Sequence, residues 1–305
     1  LNNSKELADK ISKLKKERKA VLLVHNYQRP EIQDIGDFTG DSLALSRQAS
    51  TTDAKVIVFC GVRFMAETAS ILCPDKTVLL PAFGAGCPLA DKITAEQLRK
   101  LKSEHPGAEV VSYVNSSAEV KAESTIICTS ANSIKVVNSL PAGKEIIFVP
   151  DRNLGLYTAE KTKRKMVIWD GGCPIHTEIT VEDIKQQSKK YPSAKVMVHP
   201  ECNPEVLAAA DAVVSTGGML KYAAENPATE FIVGTETSML YPLAKSQPGK
   251  KFYPAREKAV CEDMQKTTLE LVLSALEKMS PEIKVKDEIR AKAVKAVRRM
   301  LDLEK

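Results

Sequence analysis

Aromatic side chains are scarce in this chain, at 5% of 305 residues with one tryptophan, and there are only four histidines. No apolar run approaches the roughly eighteen residues of a membrane span, and no signal-peptide pattern opens the sequence; a cytoplasmic protein with no membrane partner is expected. The chain begins at Leu1 rather than Met, so further residues are expected to precede it. Two nucleotide signatures are also missing. There is no Gly-x-x-x-x-Gly-Lys-Ser/Thr, and the segment Gly84 to Pro88 has neither the helix-opening glycine nor the unit of a dinucleotide fold, so neither ATP nor NAD binding follows. Net charge is a modest +5, from 44 Lys and Arg against 39 Asp and Glu. The basic runs at Lys10 to Lys19 and Lys161 to Lys165 read as solvated helix faces. A nucleic-acid surface would need a concentrated stripe, and none is present.

No CxxC pair occurs among the seven cysteines, and their odd number argues against a disulfide scaffold. Buried thiols, a metal centre or a reactive thiol remain as readings. With 43% hydrophobic residues, 14 Gly and 16 Pro, the composition is that of a folded globular chain, long enough for two or three domains.

An internal repeat decides for three. Strand ends recur as His25-x-Tyr27-x-x-Pro30-Glu31, Tyr113-x-Asn115-x-x-Ala118-Glu119 and His199-x-Glu201-x-x-Pro204-Glu205. The second and third copies keep one register, with Gly86-Cys87-Pro88 matching Gly172-Cys173-Pro174 and Thr94 and Pro106 matching Thr180 and Pro192. Short, continuously apolar runs such as Val21 to Val24, Val56 to Phe59, Ile146 to Val149 and Phe231 to Val233 suit parallel strands covered on both faces. Helices fall between them, with capping boxes expected at Thr94/Gln97 and Thr180/Asp183. Phe252-Tyr253 is a weak further strand. The expected architecture is α/β: three similar three-layer αβα domains with short parallel sheets about a pseudo-threefold axis, sharing one central site. Residues 1–86 form the first domain, 87–172 the second and 173–261 the third. Helices within 262–305 have no counterparts in the other copies and are expected to complete the first domain.

Cys87, Cys173 and Cys261 stand 86 and 88 residues apart, one near each copy boundary. An isolated cysteine is more often a buried filler, but repeat placement favours a shared centre. Three thiolates suit either a catalytic zinc, for which His176 is the nearby histidine, or an iron–sulfur cube with one open iron. Cys60, Cys73, Cys128 and Cys202 read as packing thiols.

Parallel sheets bind ligands at the carboxyl ends of their strands. His25, Tyr113 and His199 therefore form an expected ring of donors, and Tyr27, Asn115 and Glu201 a second ring. Glu201 is the carboxylate of this set and the natural proton acceptor, with His199 on the same strand face. The segments Cys60-Gly61-Val62, Thr129 to Asn132 and Ser215 to Gly218 are taken as the equivalent second-strand ends. The hydroxyls of Ser42, Ser130, Ser215 and Thr216, with Asn115, can bind carboxylate or phosphate oxygens.

Taken in order, Val24-His25-Asn26-Tyr27-Gln28, Gly40-Asp41-Ser42-Leu43, Gly86-Cys87-Pro88, Tyr113-Val114-Asn115-Ser116, Cys128 to Asn132, Pro150 to Gly155, Gly172 to His176, His199-Pro200-Glu201-Cys202, Ser215-Thr216-Gly217 and Gly234-Thr235-Glu236 resemble the NadA-type quinolinate synthases over nearly the whole chain. The resemblance implies condensation of iminoaspartate with dihydroxyacetone phosphate to quinolinate, phosphate and water in de novo NAD biosynthesis, and a functional link to an L-aspartate-oxidising enzyme. It implies one 4Fe-4S cluster held by Cys87, Cys173 and Cys261, with Glu201, Tyr113, His199 and Tyr27 catalytic. Substrate contacts are expected from those four with His25, Ser42, Asn115, Ser130, His176, Ser215 and Thr216. Some family members have further cysteines near the carboxyl end; here Cys261 stands alone, which argues against a redox disulfide in that region. Another 4Fe-4S-dependent dehydratase, or a non-enzymatic iron–sulfur sensor, would use some of the same residues.

Overall fold

The computed structural model describes residues 2–303. Among the described residues, twelve short strands form three parallel four-stranded sheets. The first contains β1 (Ala20–His25), β2 (Phe38–Gly40), β3 (Val56–Cys60) and β4 (Thr77–Leu79). The second contains β5 (Glu109–Tyr113), β6 (Ile126–Cys128), β7 (Ile146–Val149) and β8 (Val167–Ile168). The third contains β9 (Lys195–Val198), β10 (Ala212–Val213), β11 (Glu230–Gly234) and β12 (Lys251–Pro254). Every sheet has the same order, second strand, first, third, fourth. The internal repeat is thus a repeat of topology as well as of sequence.

Continuous apolar runs make sense because the central strands are covered on both faces. In β1 and β3, Leu22, Val24, Val58 and Cys60 face one way, onto a cluster with Ile11, Val272 and Leu276. Val21, Leu23, Ile57 and Phe59 face the other way, into the large cluster that also takes in side chains of the second and third sheets. Each such side chain removed from water contributes about 1.5–3 kcal/mol. Both expected capping boxes form: Thr94 with Gln97 opens Ala95–Glu104, and Thr180 with Asp183 opens Val181–Lys190.

Strand β2 is absent from the sequence reading. It has only three residues, and Phe38 and Thr39 are exposed, so it carries no buried apolar signature. Its existence changes how the copies align. The weak run at Phe252-Tyr253 does form β12 and pairs in parallel with β11.

The two long carboxyl-terminal helices part company. Leu269–Lys278 lies against Asn2–Arg18 and covers the first sheet. Asp287–Asp302 instead packs on Ala118–Ala122 and β6 of the second unit, with a smaller contact to Arg63–Leu72 of the first. It therefore spans the seam rather than completing the first unit alone, because its apolar face of Ala293, Ala296, Val297 and Met300 belongs to the cluster shared between units. Among the described residues no helix is long and apolar enough to cross a membrane.

Candidate active site

In a parallel sheet all carboxyl ends lie along one edge, and residues from the three edges line one cavity. The first strands deliver His25 and Tyr27, Tyr113 and Asn115, and His199 and Glu201. Sheet order corrects the next set. The strands next to them on the outer side are β2, β6 and β10, so the equivalent of Thr129-Ser130 and Ser215-Thr216 is Asp41-Ser42. Cys60-Gly61-Val62 follows β3 and corresponds instead to the ends of β7 and β11, at Pro150-Asp151 and Thr235-Glu236. Missing β2 caused the misalignment. Ser42, Ser130 and Thr216 all reach the cavity. Ser215 does not: its Oγ accepts the Gly218 N–H at 3.1 Å as a helix cap, and it borders a neighbouring recess with Pro200 and Val214.

Glu201 is the hub. Its Oε1 accepts the Tyr113 hydroxyl at 2.6 Å, and its Oε2 lies 2.7 Å from His176 Nδ1 and 3.9 Å from His199 Nδ1. Burial would raise this carboxyl, but the His176 contact together with the Tyr113 hydroxyl more than reverses that and holds it below the usual carboxylate range. Glu201 is thus an ionised base inside a buried site. Burial drives His199 down to about 3 against the pull of Glu201, and His25 down to about 4. Both imidazoles are neutral near pH 7, each able to donate with one nitrogen and accept with the other. His25 Nδ1 accepts the Tyr27 N–H at 3.2 Å, which leaves Nε2 as its donor. The His199 ring stacks on His176 at 4.6 Å, and its Nε2 is 3.1 Å from Ser130 Oγ. Thr235 Oγ1 joins His176 Nε2 at 2.8 Å to the Tyr27 hydroxyl at 2.5 Å. Burial pushes both Tyr27 and Tyr113 well above the usual phenol range, so both hydroxyls keep their protons.

The cysteines divide sharply. Cys60, Cys73, Cys128 and Cys202 are buried in the packing, whereas Cys87, Cys173 and Cys261 are partly exposed, and these three line the cavity. All seven are unpaired. Each of the three follows the fourth strand of its sheet, beside the opening of a short helical turn. Burial pushes Cys87 up to about 12 and Cys261 to about 11, and Cys173 well above the ordinary thiol value. Backbone N–H groups of Ala90 and Leu89, of His176, and of Met264 and Asp263 oppose the rise at the respective sulfurs. Three unpaired thiols lining one cavity, with N–H groups directed at them, fit a cation-rich inorganic centre that takes thiolate ligands. Cys173, His176 and Glu201 additionally place three ligand atoms within 4.8 Å of one another.

Three participants escaped the sequence reading. Glu236 is a second cavity carboxylate, raised by burial to about 7 while accepting the Ser238 N–H at 2.8 Å and the Cys261 N–H at 3.2 Å. Its signal was the third-strand end Thr235-Glu236, hidden by the misaligned copies. Asp41 lines the cavity while capping the helix Ser42–Thr51 through the Ala44 N–H at 2.9 Å. Lys121 is fully buried behind Phe64, a cavity residue, with its ammonium 5.5 Å from that ring. Nothing in its sequence setting distinguishes it from an exposed helix lysine.

The family described as Quinolinate synthetase A protein matches residues 9–302. A quinolinate synthase of Dehalococcoides mccartyi (strain CBDB1) is 57% identical over 295 residues, covering 97% of both chains. A quinolinate synthase of Methanoregula boonei is 54% identical over 297 residues, covering 97% of this chain and 98% of its own, and one of Geobacter sp. (strain M21) is 54% identical over 295 residues.

Proposed function

The chain belongs to the quinolinate synthetase A family and is an enzyme of NAD biosynthesis; from that premise we propose that it condenses iminoaspartate with dihydroxyacetone phosphate. The products balance as quinolinate, phosphate and two waters. The observation that carries this reading is the convergence of an ionised Glu201, two neutral histidines and three cavity-facing cysteines in one enclosure. We take the three units as related by a pseudo-threefold axis through that enclosure, divided near residues 86 and 172.

Cys87, Cys173 and Cys261 would hold a 4Fe-4S cluster. Such a cluster, with three protein ligands, supplies one Lewis-acidic iron for an oxygen or nitrogen group of the substrate. The remaining work falls to side chains of this chain. Glu201 takes the protons whose removal drives keto–enol conversion and, later, ring aromatisation. Tyr113, hydrogen-bonded to Glu201, returns a proton to a departing hydroxyl, and His199 and Tyr27 serve as further neutral donors in the enclosure. Ser42, Ser130 and Thr216, with Asn115 and His25, bind carboxylate and phosphate oxygens without introducing a cation that would compete with the metal. Burial of His25, Tyr27, Tyr113, His199, Glu201 and Thr216 limits bulk water during a sequence of dehydrations.

Iminoaspartate must come from an enzyme that oxidises L-aspartate, which makes that enzyme the functional neighbour. Seven unpaired thiols suit a reducing compartment, the cytoplasm. The test is an anaerobic assay with iminoaspartate generated in place, following pyridine dicarboxylate and phosphate together. Equal release of both, dependent on iron and sulfide, is expected. Phosphate without the ring product would reduce the activity to simple elimination.

A further inference from the structure

We propose that the cluster-free chain has a second metal-binding mode, in which one zinc-type divalent cation is held by Cys173 Sγ, His176 Nδ1 and Glu201 Oε2. His176 Nδ1 faces both other ligands, at 3.2 Å from the sulfur and 2.7 Å from the carboxylate oxygen. All three ligand atoms lie within 4.8 Å of one another. The supporting contacts are those of a ligand set already oriented. His176 Nε2 is anchored at 2.8 Å on Thr235 Oγ1, which turns Nδ1 toward the other two ligands. Tyr113 occupies Oε1 of Glu201, leaving Oε2 as the free carboxylate atom. His176 and Glu201 are buried, and the remaining coordination position opens to the cavity.

Size and charge both fit. Zinc bonds of about 2.3 Å to sulfur and about 2.0–2.1 Å to nitrogen and oxygen put tetrahedral ligands roughly 3.4–3.6 Å apart. The Sγ···Nδ1 distance therefore opens by a few tenths of an ångström and Nδ1···Oε2 by about 0.7 Å, while Sγ and Oε2, within 4.8 Å of each other, settle at about 3.5 Å. Binding takes the proton from the Cys173 thiol and replaces the His176–Glu201 contact of 2.7 Å with bonds to the metal. Thiolate, carboxylate and neutral imidazole then offset the divalent charge completely, as a buried ion requires. A mixed sulfur, nitrogen and oxygen set is also one that zinc accepts readily, while magnesium and calcium do not.

Zinc in this position takes one of the three cluster cysteines together with the base, so the two occupancies exclude each other. That exclusion rests on the cluster reading above, whereas zinc binding does not. Intracellular zinc would thereby compete with cluster assembly at a single residue, Cys173.

The test titrates the anaerobic, metal-stripped full chain with Co2+ as a spectroscopic probe. One Co2+ per chain is expected, with a thiolate-to-cobalt charge-transfer band and four-coordinate visible bands that one equivalent of Zn2+ bleaches. Cys87→Ala and Cys261→Ala should keep both features, Cys173→Ala should lose the charge-transfer band, and His176→Gln should weaken binding at least tenfold. Loss of the bands in Cys87→Ala or Cys261→Ala would move the ion to the three thiols and overturn the proposal, and so would undiminished binding by His176→Gln. Those two cysteine variants keep the test decisive even where His176→Gln does not fold. Zinc-loaded chain should accept no iron and sulfide until the zinc is chelated. Cluster assembly with zinc still bound would overturn the exclusion, while cluster assembly in Cys87→Ala would remove the cluster reading and leave the zinc site standing.

Discussion

Tyr113 and Glu201 meet at 2.6 Å from corresponding strand ends of two different sheets, so a proton donor and its acceptor are joined across the cavity. The contact couples the basicity of Glu201 to the placement of the second unit. Glu201→Gln preserves the side chain's volume and removes its basicity. Its expected effect is a fall in kcat of about 10²–10⁴, the usual range for loss of a positioned acid or base. Tyr113→Phe should fall less and should also raise the pH at which Glu201 ionises. Quinolinate formation at matched iron content checks both, and an unchanged rate in Glu201→Gln would remove it as the base.

The division of the cysteines gives a second expectation. Cys87→Ala, Cys173→Ala and Cys261→Ala should each fail to retain iron and sulfide after anaerobic reconstitution, and should lose ring formation with them. Cys73→Ala should retain both, because its thiol donates to the Ala49 carbonyl at 3.0 Å inside the first unit's packing. Trimming it leaves a small cavity costing on the order of 1 kcal/mol. Iron and acid-labile sulfide analysis separates the two classes without an activity assay.

Much of this was legible in the sequence because repetition supplied what a single copy withholds. An isolated His25 or Cys87 is ordinary; three equivalents at a fixed register point to a shared centre. Strands buried on both faces advertise themselves as apolar runs, so β1, β3, β5, β7, β9 and β11 were visible. β2 was not, since a three-residue exposed edge strand is held by backbone pairing rather than by its side chains. That single omission shifted the comparison of copies and hid Glu236. Lys121 and the seam position of Asp287–Asp302 were invisible for another reason. Helix periodicity says which face is apolar, but not which unit it meets.

Lys121 offers a test of the packing behind the cavity. Its side chain has no exposed surface, it donates to the Ser116 carbonyl, and burial pulls it down to about 8 with Glu67 as the leading opposing charge. Glu67 is raised by burial, and Lys121 and the Ala118 N–H at 3.0 Å oppose the rise. Removing Glu67 takes away the carboxylate that offsets the Lys121 charge and leaves the Ala118 N–H without its acceptor. Glu67→Met should therefore cost about 1–3 kcal/mol, and combining it with Lys121→Met should cost clearly less than the two single changes added together. Urea unfolding of the four proteins gives the coupling directly, and additivity would show that the two groups do not interact.

Acid should unfold the cluster-free chain partly through His25. The unfolded imidazole takes up a proton near its ordinary value of about 6.5, while the folded one resists until about 4 because burial disfavours the imidazolium. Between those values the unfolded state binds more protons, so stability falls as the pH falls. Other buried groups titrate in the same range, and Glu236, raised to about 7, acts in the opposite sense. Comparison with His25→Gln removes them, because they are common to both proteins. At pH 7 the difference in stability between wild type and variant reflects packing and hydrogen bonding alone. On going to pH 5 it should shift against the wild type by about 2 kcal/mol, from roughly 1.4 kcal/mol for each pH unit below 6.5. Urea midpoints at the two pH values measure that shift. A difference that stays constant would mean that the fold accommodates a charged His25 as readily as water does, most directly through the ionised Glu201, so that the ring takes up its proton near the ordinary value of about 6.5.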